Sequence, residues 1–263
     1  MLIVTDAIDL NCDLGEGFGR YAMGDDAAML EIVTSVNVAC GFHAGDPDIM
    51  AERAAQTLEK GIVLGAHPSF DDLHGFGRRR IHGIPATELR NLIIYQVGAL
   101  QGLARSVGQV VSHVRAHGAL GNMTDEDPEM AKTLAGAVAA MHSNLALMTM
   151  AGCAADEAGQ AAGLRVARQA FADRAYTDDG ALVPRSQPGA VLDDPREATE
   201  RVIRLAEEGV IESINGKVLR VDARIVCVHG DSPAAVKMAE TIRTALENRG
   251  LAVKPYTQHP GWQ

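Results

Sequence analysis

The chain has 263 residues, of which 47% are hydrophobic and only 4% aromatic, and it carries a formal net charge of −10. That length and apolar fraction suffice for one large α/β domain, with a core built mainly of Ala, Val, Leu, Ile and Met. The acidic balance argues against a nucleic-acid partner, because neutralising phosphates needs clustered Lys and Arg. The only dense basic cluster is RRRI, Arg78 to Ile81, which reads either as an anion-holding patch or as a salt-bridged loop. Cys12, Cys40, Cys153 and Cys227 form no CxxC pair. They read as reduced thiols, three of them inside apolar runs. The first ten residues, MLIVTDAIDL, lack a basic segment and a long apolar segment. No signal peptide or membrane span is expected, and the cytoplasm is the default location.

Seven short apolar runs follow one another: Ile8–Cys12, Ser35–Cys40, Ile62–Ala66, Val110–Arg115, Leu145–Met150, Leu164–Ala170 and Arg224–Val228. Each reads as a buried strand. Helical patterning fills the intervals. Pro47 to Lys60 opens with Pro and stops before Gly61, and Pro195 to Glu208 stops at Gly209. Pro85 to Val107, Asp127 to His142 (with Asp127 as cap) and Pro233 to Arg249 complete the longer set. Gly24–Val33 and Gly152–Ala162 are shorter candidates. Seven alternations of strand and helix predict a parallel sheet covered on both faces. A closed barrel is favoured over an open sheet, because no GxGxxG follows the first strand and polar residues follow most strands. One domain, residues 1–263, is expected. Pro68 to Gly83 and Thr177 to Asp194 interrupt the alternation and read as lids or binding loops. The tail YTQHPGWQ reads as loosely ordered.

The polar residues at the strand ends form a coherent set. In chain order they are Asn11, Asp13 and Glu16; His43 and Asp46; His67 and Ser69; His117 and Asn122; Asp173 and Arg174; His229 and Asp231. In a parallel barrel these ends converge on one face, where four imidazoles among acids and glycines point to an active site. Imidazole serves proton transfer near neutral pH or coordination of a transition metal. Asp13, His43 and His67 would make a carboxylate-and-two-imidazole metal site, although no HExxH or comparable close spacing supports it. His113 lies too early in its strand for the mouth and reads as a core or helix-facing residue. His74, His82, His142 and His259 read as loop or surface residues.

DLNCDLGEGFG (9–19), NVACGFHAGDP (37–47), GAHPSFDDLHGFGRR (65–79), HGALGN (117–122), FADRAY (171–176), LVPRSQPGA (182–190) and VHGD (228–231) together resemble the LamB/YcsF family, to which the A subunit of 5-oxoprolinase belongs. The resemblance implies a (β/α) barrel of about seven strands, of the glycoside hydrolase/deacetylase type. It also implies ATP-dependent opening of the lactam of 5-oxo-L-proline to L-glutamate, with ATP and Mg2+, and two further subunits, B and C, similar to allophanate hydrolase-type proteins. Arg115, Ala116, Gly121, Gln169 and Asp71 depart from the blocks this family usually carries. Asp13, Glu16, His43, His67 and His117 are then the candidate catalytic residues, with Asp13 or Glu16 as base. Asn11, Arg115, Asn122, Arg174, His229 and Asp231 are the candidate substrate-binding residues, the arginines pairing with a carboxylate. No Walker A sequence is present, so ATP belongs either to another kind of site or to a partner subunit. Two other readings stand beside this one: a metal-dependent deacetylase or amidase acting alone, and a non-catalytic lactam-binding subunit.

Overall fold

A computed structural model describes residues 5–141, 144–230 and 234–262. In chain order the first half runs β1 (Ala7–Leu14), α1 (Asp26–Met29), β2 (Ser35–Ala39), α2 (Pro47–Lys60), β3 (Val63–His67), α3 (Ala86–Ser106), β4 (Val111–Val114) and α4 (Gly118–Glu126). The second half runs α5 (Pro128–Met141), β5 (Ala146–Met150), α6 (Ala154–Ala161), β6 (Arg165–Phe171), α7 (Pro195–Glu208), β7 (Val210–Glu212), β8 (Val218–Arg220), β9 (Ile225–Val228), α8 (Ala235–Asn248) and β10 (Ala252–Val253). Strands β1 to β6 and β9 pair in parallel in that order, and β9 pairs back onto β1, closing a seven-stranded barrel. All seven predicted strands are present, each within two residues or so of its predicted limits. β10 adds in parallel to the start of β1, and β7 and β8 form a separate antiparallel hairpin. Among the described residues no helix is long and apolar enough to cross a membrane.

Local chemistry explains the helix boundaries. Asp46 caps α2, accepting from the backbone N–H groups of Asp48 and Ile49 at 2.9 Å each, and Gly61 ends the helix at φ +66°. Asp127 accepts from Glu129 N at 2.8 Å at the start of α5. Helix α4 is absent from the sequence expectations. Gly118 and Gly121 lower its helical propensity, and no side chain caps it.

The strands are not the continuous apolar runs expected. In β1 the residues Ile8, Leu10, Cys12 and Leu14 alternate outward into the main core under the helices. Asp9, Asn11 and Asp13 alternate inward and bond to Ser35 and Asn37 of β2. The barrel interior is therefore divided. Its β1–β4 side is polar, whereas Ala146, Met148, Ala167 and Ile225 on the far side form a small apolar cluster around Tyr256. The tail is not loose either. Tyr256 is 2% exposed and closes the barrel floor, its backbone N–H donating to Asp9 Oδ2 at 2.9 Å.

The polar side also contains His113, 0% exposed and confirmed as a core residue. Its ring lies against Gly65 of β3, where an added Cβ would fall 2.0 Å from His113 Nε2. This close approach accounts for a glycine in mid-strand. Gly65→Ala is expected to lower stability by roughly 1–3 kcal/mol, seen as a lower denaturant midpoint with an unchanged m-value.

Candidate active site at the barrel mouth

The C-terminal ends of the strands bring Asp13, Glu16, His43, His67 and His117 together, as the sequence predicts. Asp13 ends β1, and Glu16 follows it. His43 stands in the β2–α2 loop, His67 ends β3, and His117 precedes α4. All five are buried. Ligand-capable atoms of Glu16, His43, His67 and His117 lie within 4.8 Å of one another. His43 Nε2 and His117 Nδ1 lie 3.2 and 3.4 Å from Glu16 Oε1, and His67 Nε2 lies 3.4 Å from Asp13 Oδ1. The His43 and His117 rings stack at 3.8 Å, 6° from parallel.

His67 Nδ1 lies 2.6 Å from the Arg115 carbonyl and His117 Nε2 lies 2.8 Å from the Phe76 carbonyl, so each ring commits an N–H to backbone. The remaining nitrogens, His67 Nε2 and His117 Nδ1, then face each other at 3.0 Å as two lone pairs. Only a cation between them, a proton or a metal ion, makes that contact favourable. Burial and the charges of His43 and His67 push the His117 imidazole well below its usual range. Three imidazoles and a carboxylate suit a transition-metal ion, and the carbonyls behind His67 and His117 are the kind of support metal-bound histidines use. Bonds of about 2.1 Å place neighbouring ligand atoms about 3–4 Å apart, in keeping with this cluster. The predicted trio of Asp13, His43 and His67 is thus corrected: Glu16 takes the place of Asp13 as the carboxylate, His117 adds a third imidazole, and Asp13 sits beside them.

The loop at residues 68–85 closes one wall. Asp72 organises it, accepting from Gly75 N and Arg79 N and pairing with the Arg79 guanidinium. Phe76 sets its ring edge-on to both His43 and His117. At Gly77, with φ +65°, an added Cβ would fall 2.3 Å from Ser69 Oγ and 2.7 Å from His117 Cδ2. Only glycine passes there. The basic run that follows divides: Arg79 is tied to Asp72, Arg80 binds Glu126 through both guanidinium nitrogens, and Arg78 lies over the Phe76 ring.

Beyond Asp13, His67 and His117 opens a cavity of about 990 Å3. Six arginines line it, Arg78, Arg80, Arg115, Arg174, Arg185 and Arg220, in a chain that is acidic overall. His229 stands on its wall, held through Nδ1 by Asp173 at 2.8 Å and stacked on Phe171 at 5.2 Å. Burial would raise the Asp173 carboxyl, but the charge and hydrogen bond of His229 outweigh burial and hold it below its usual range. Asp13 behaves alike: positive charge at His67, as a cation shared there would supply, and at His229, with the bond from Asn37, overcomes burial and holds its carboxyl well below its usual range. Asn122 and Arg115 also line the cavity.

Other candidates do different work. Asn11 lies beneath the cavity, its amide joined to Ser35 and Asn37. Arg174 lines the cavity but gives Nη2 to Val183 O at 2.7 Å and Nε to Ala190 O at 3.3 Å, pinning the 177–194 loop. Asp46 is a helix cap. Asp231 and His142 lie outside the described residues. The departures at 115, 121 and 169 occupy one place. Gln169, with its carboxamide oxygen toward Arg115, accepts from Arg115 Nε and Nη2, and Arg115 Nη1 lies 3.2 Å from where a Cβ on Gly121 would stand. A Cβ at 121 would also fall 2.6 Å from the Ala116 carbonyl oxygen, so backbone and guanidinium together leave room there for glycine. Asp173 as the partner of His229, and the polar ladder below Asp13, were beyond sequence reasoning about roles, although Asp173 stood among the strand-end residues.

The LamB/YcsF family model matches residues 8–261. The chain belongs to the LamB/YcsF family. A relative from Rhodopseudomonas palustris, named as the A subunit of 5-oxoprolinase, is 53% identical over 249 residues, covering 95% of this chain and 98% of that one. Another of the same name from Gluconobacter oxydans is 48% identical over 255 residues, covering 97% and 100%. The crystal structure of a lactam utilization protein from Thermus thermophilus, 39% identical, superposes with a TM-score of 0.90 over 95% of this chain and 100% of that one. With this LamB/YcsF barrel, Zn2+ or Mn2+ is expected to raise the melting temperature, and His67→Ala is expected to abolish that rise. Calorimetric titration of both forms with each ion measures it.

Proposed function

We propose that this chain is the A subunit of an ATP-dependent 5-oxoprolinase, opening the lactam of 5-oxo-L-proline to L-glutamate with two partner subunits, B and C. One observation carries the reading: a buried carboxylate, Asp13, and a carboxylate-oriented imidazole, His229, both face an arginine-lined cavity. The names of the close relatives support the same activity. An unstrained amide resists water, and phosphorylation of its oxygen would make it a good electrophile. ATP with Mg2+ would be held by a partner subunit or by another kind of site on this chain, which has no Walker A sequence. A cavity of about 990 Å3 is at the upper end for small-molecule sites and has room for a phosphorylated lactam.

In this mechanism Asp13, held as a carboxylate, takes a proton from the attacking water. His229 keeps its Nδ1–H on Asp173 and presents Nε2 as the acid for the leaving ring nitrogen, whose departure leaves an acyl phosphate that a second water cleaves to glutamate and phosphate. Arg115, braced by Gln169 and Phe171, binds the substrate carboxylate, with Asn122 beside it. Arg78 and Arg80 face the phosphoryl end. Glu16, His43, His67 and His117 would hold a divalent ion, which would supply a Lewis acid for the carbonyl. Phe76 and the 68–85 loop exclude water from the imidazoles.

The ion-binding cluster also favours a second reading, a metal-dependent amidase acting without partners. Hydrolysis of 5-oxoproline by the metal-loaded chain alone, with no ATP, would establish it. The primary reading expects none, and expects phosphate and glutamate in equal amounts once both partners and ATP are added. In that complex Asp13→Asn should lower kcat by about 10²–10⁴-fold. Asp173→Asn should lower kcat while leaving 5-oxoproline affinity in place, as separate turnover and binding measurements would show. Full activity in Asp13→Asn would remove its assigned role.

A further inference from the structure

Asp13 is held from below as well as at the mouth. The inward side chains of β1, β2 and β4 form a directed hydrogen-bond chain that ends at Tyr256 on the barrel floor. Donors and acceptors fix its direction. Asn37 turns Nδ2 toward two oxygens, Asp13 Oδ1 at 2.8 Å and Asn11 Oδ1 at 2.7 Å, so both its N–H groups are committed. Its Oδ1 accepts from His113 Nε2 at 2.8 Å. With the proton on Nε2, His113 presents Nδ1 as an acceptor, and the Tyr256 hydroxyl stands 3.1 Å away. The order is Tyr256 O–H to His113, His113 to Asn37, Asn37 to Asp13. Reversing any link sets two acceptors or two donors against each other.

The fold makes room for this chain in three separate ways. Gly65 omits the Cβ that would strike His113. The pairing of β3 with β4 shifts register at Leu64/Gly65, beside that ring. Tyr256 is fastened to Asp9 across 247 positions of sequence. A phenylalanine would fill the apolar layer of Ala146, Met148, Ala167 and Ile225 as well as Tyr256 does, so packing alone leaves the hydroxyl without a purpose.

We propose that Tyr256, His113 and Asn37 are positioning residues: the floor hydroxyl fixes the His113 tautomer, which fixes the Asn37 amide, which aims the Asp13 carboxylate. The inference rests on the reading of Asp13 as the working carboxylate. Tyr256→Phe tests it by removing one O–H and keeping the ring. In the metal-free chain, labelled with 15N in histidine and 13C in aspartate carboxyls, the His113 ring nitrogens should shift away from the Nε2–H pattern. The Asp13 carboxyl should shift with them. In the full complex kcat should fall about 5- to 10-fold, the worth of one buried hydrogen bond, with KM for 5-oxoproline changed by no more than about twofold. Trp262→Phe, which touches the same Tyr256 ring at 4.6 Å but no other member of the chain, should lower the melting temperature without moving kcat. His113 shifts with an unmoved Asp13 carboxyl would overturn the relay, and so would an unchanged kcat in Tyr256→Phe. If the wild-type complex opens no lactam, the functional reading falls, and the two sets of resonances alone decide the relay.

Discussion

Two lone pairs, on His67 Nε2 and His117 Nδ1, face each other at 3.0 Å, and much of the upper barrel is arranged to hold them there. Neither ring can turn away, because its other nitrogen is bonded to a backbone carbonyl. A buried polar contact of that kind is unfavourable until a positive charge completes it. Glu16 and Asp13 would supply the negative charge to keep such a cation in place, and the Phe76 ring stands edge-on against His117 beside it. The site is in this sense prepared for an electrophile before any substrate arrives.

The same demand for partners runs down the barrel. Burying Asp9, Asn11, Asn37 and His113 in one interior costs about 1–3 kcal/mol for each group left unpaired, and the hydrogen bonds described leave each of them paired. The apolar half of the interior carries no such obligation and packs conventionally around Tyr256. The asymmetry places Asp13, Glu16, His43, His67 and His117 over β1 to β4, with Asp173 and His229 across the mouth after β6 and β9. It leaves the β5, β6 and β9 side to shape the arginine-lined cavity.

Much of this was legible in the sequence. Seven strands, their order and the convergence of Asp13, His43, His67 and His117 all followed from apolar runs ended by polar residues. What stayed hidden has physical causes. IDLNCDL reads as an apolar run interrupted by acids, because a parallel strand buried on both sides was expected to be apolar on both. Here the inward face is polar, and only pairing with Ser35 and Asn37 makes that tolerable. Helix α4 was hidden by its two glycines. Tyr256 was hidden because a tail gives no sign of what it will plug. The departures at 115, 121 and 169 looked separate along the chain, whereas in space Gln169 and Gly121 both lie against the Arg115 guanidinium.

The link from Tyr256 N–H to Asp9, and of β10 to β1, ties residues 252–256 to the first strand. During synthesis β1 emerges early with three inward polar side chains, and its floor contacts are made only after residues 252–256 have been added. Until then the interior of the nascent barrel stays open to water at its base. Closure of the barrel floor beneath Asp13 is therefore coupled to the arrival of residues 252–256, far along the chain from the strand they support.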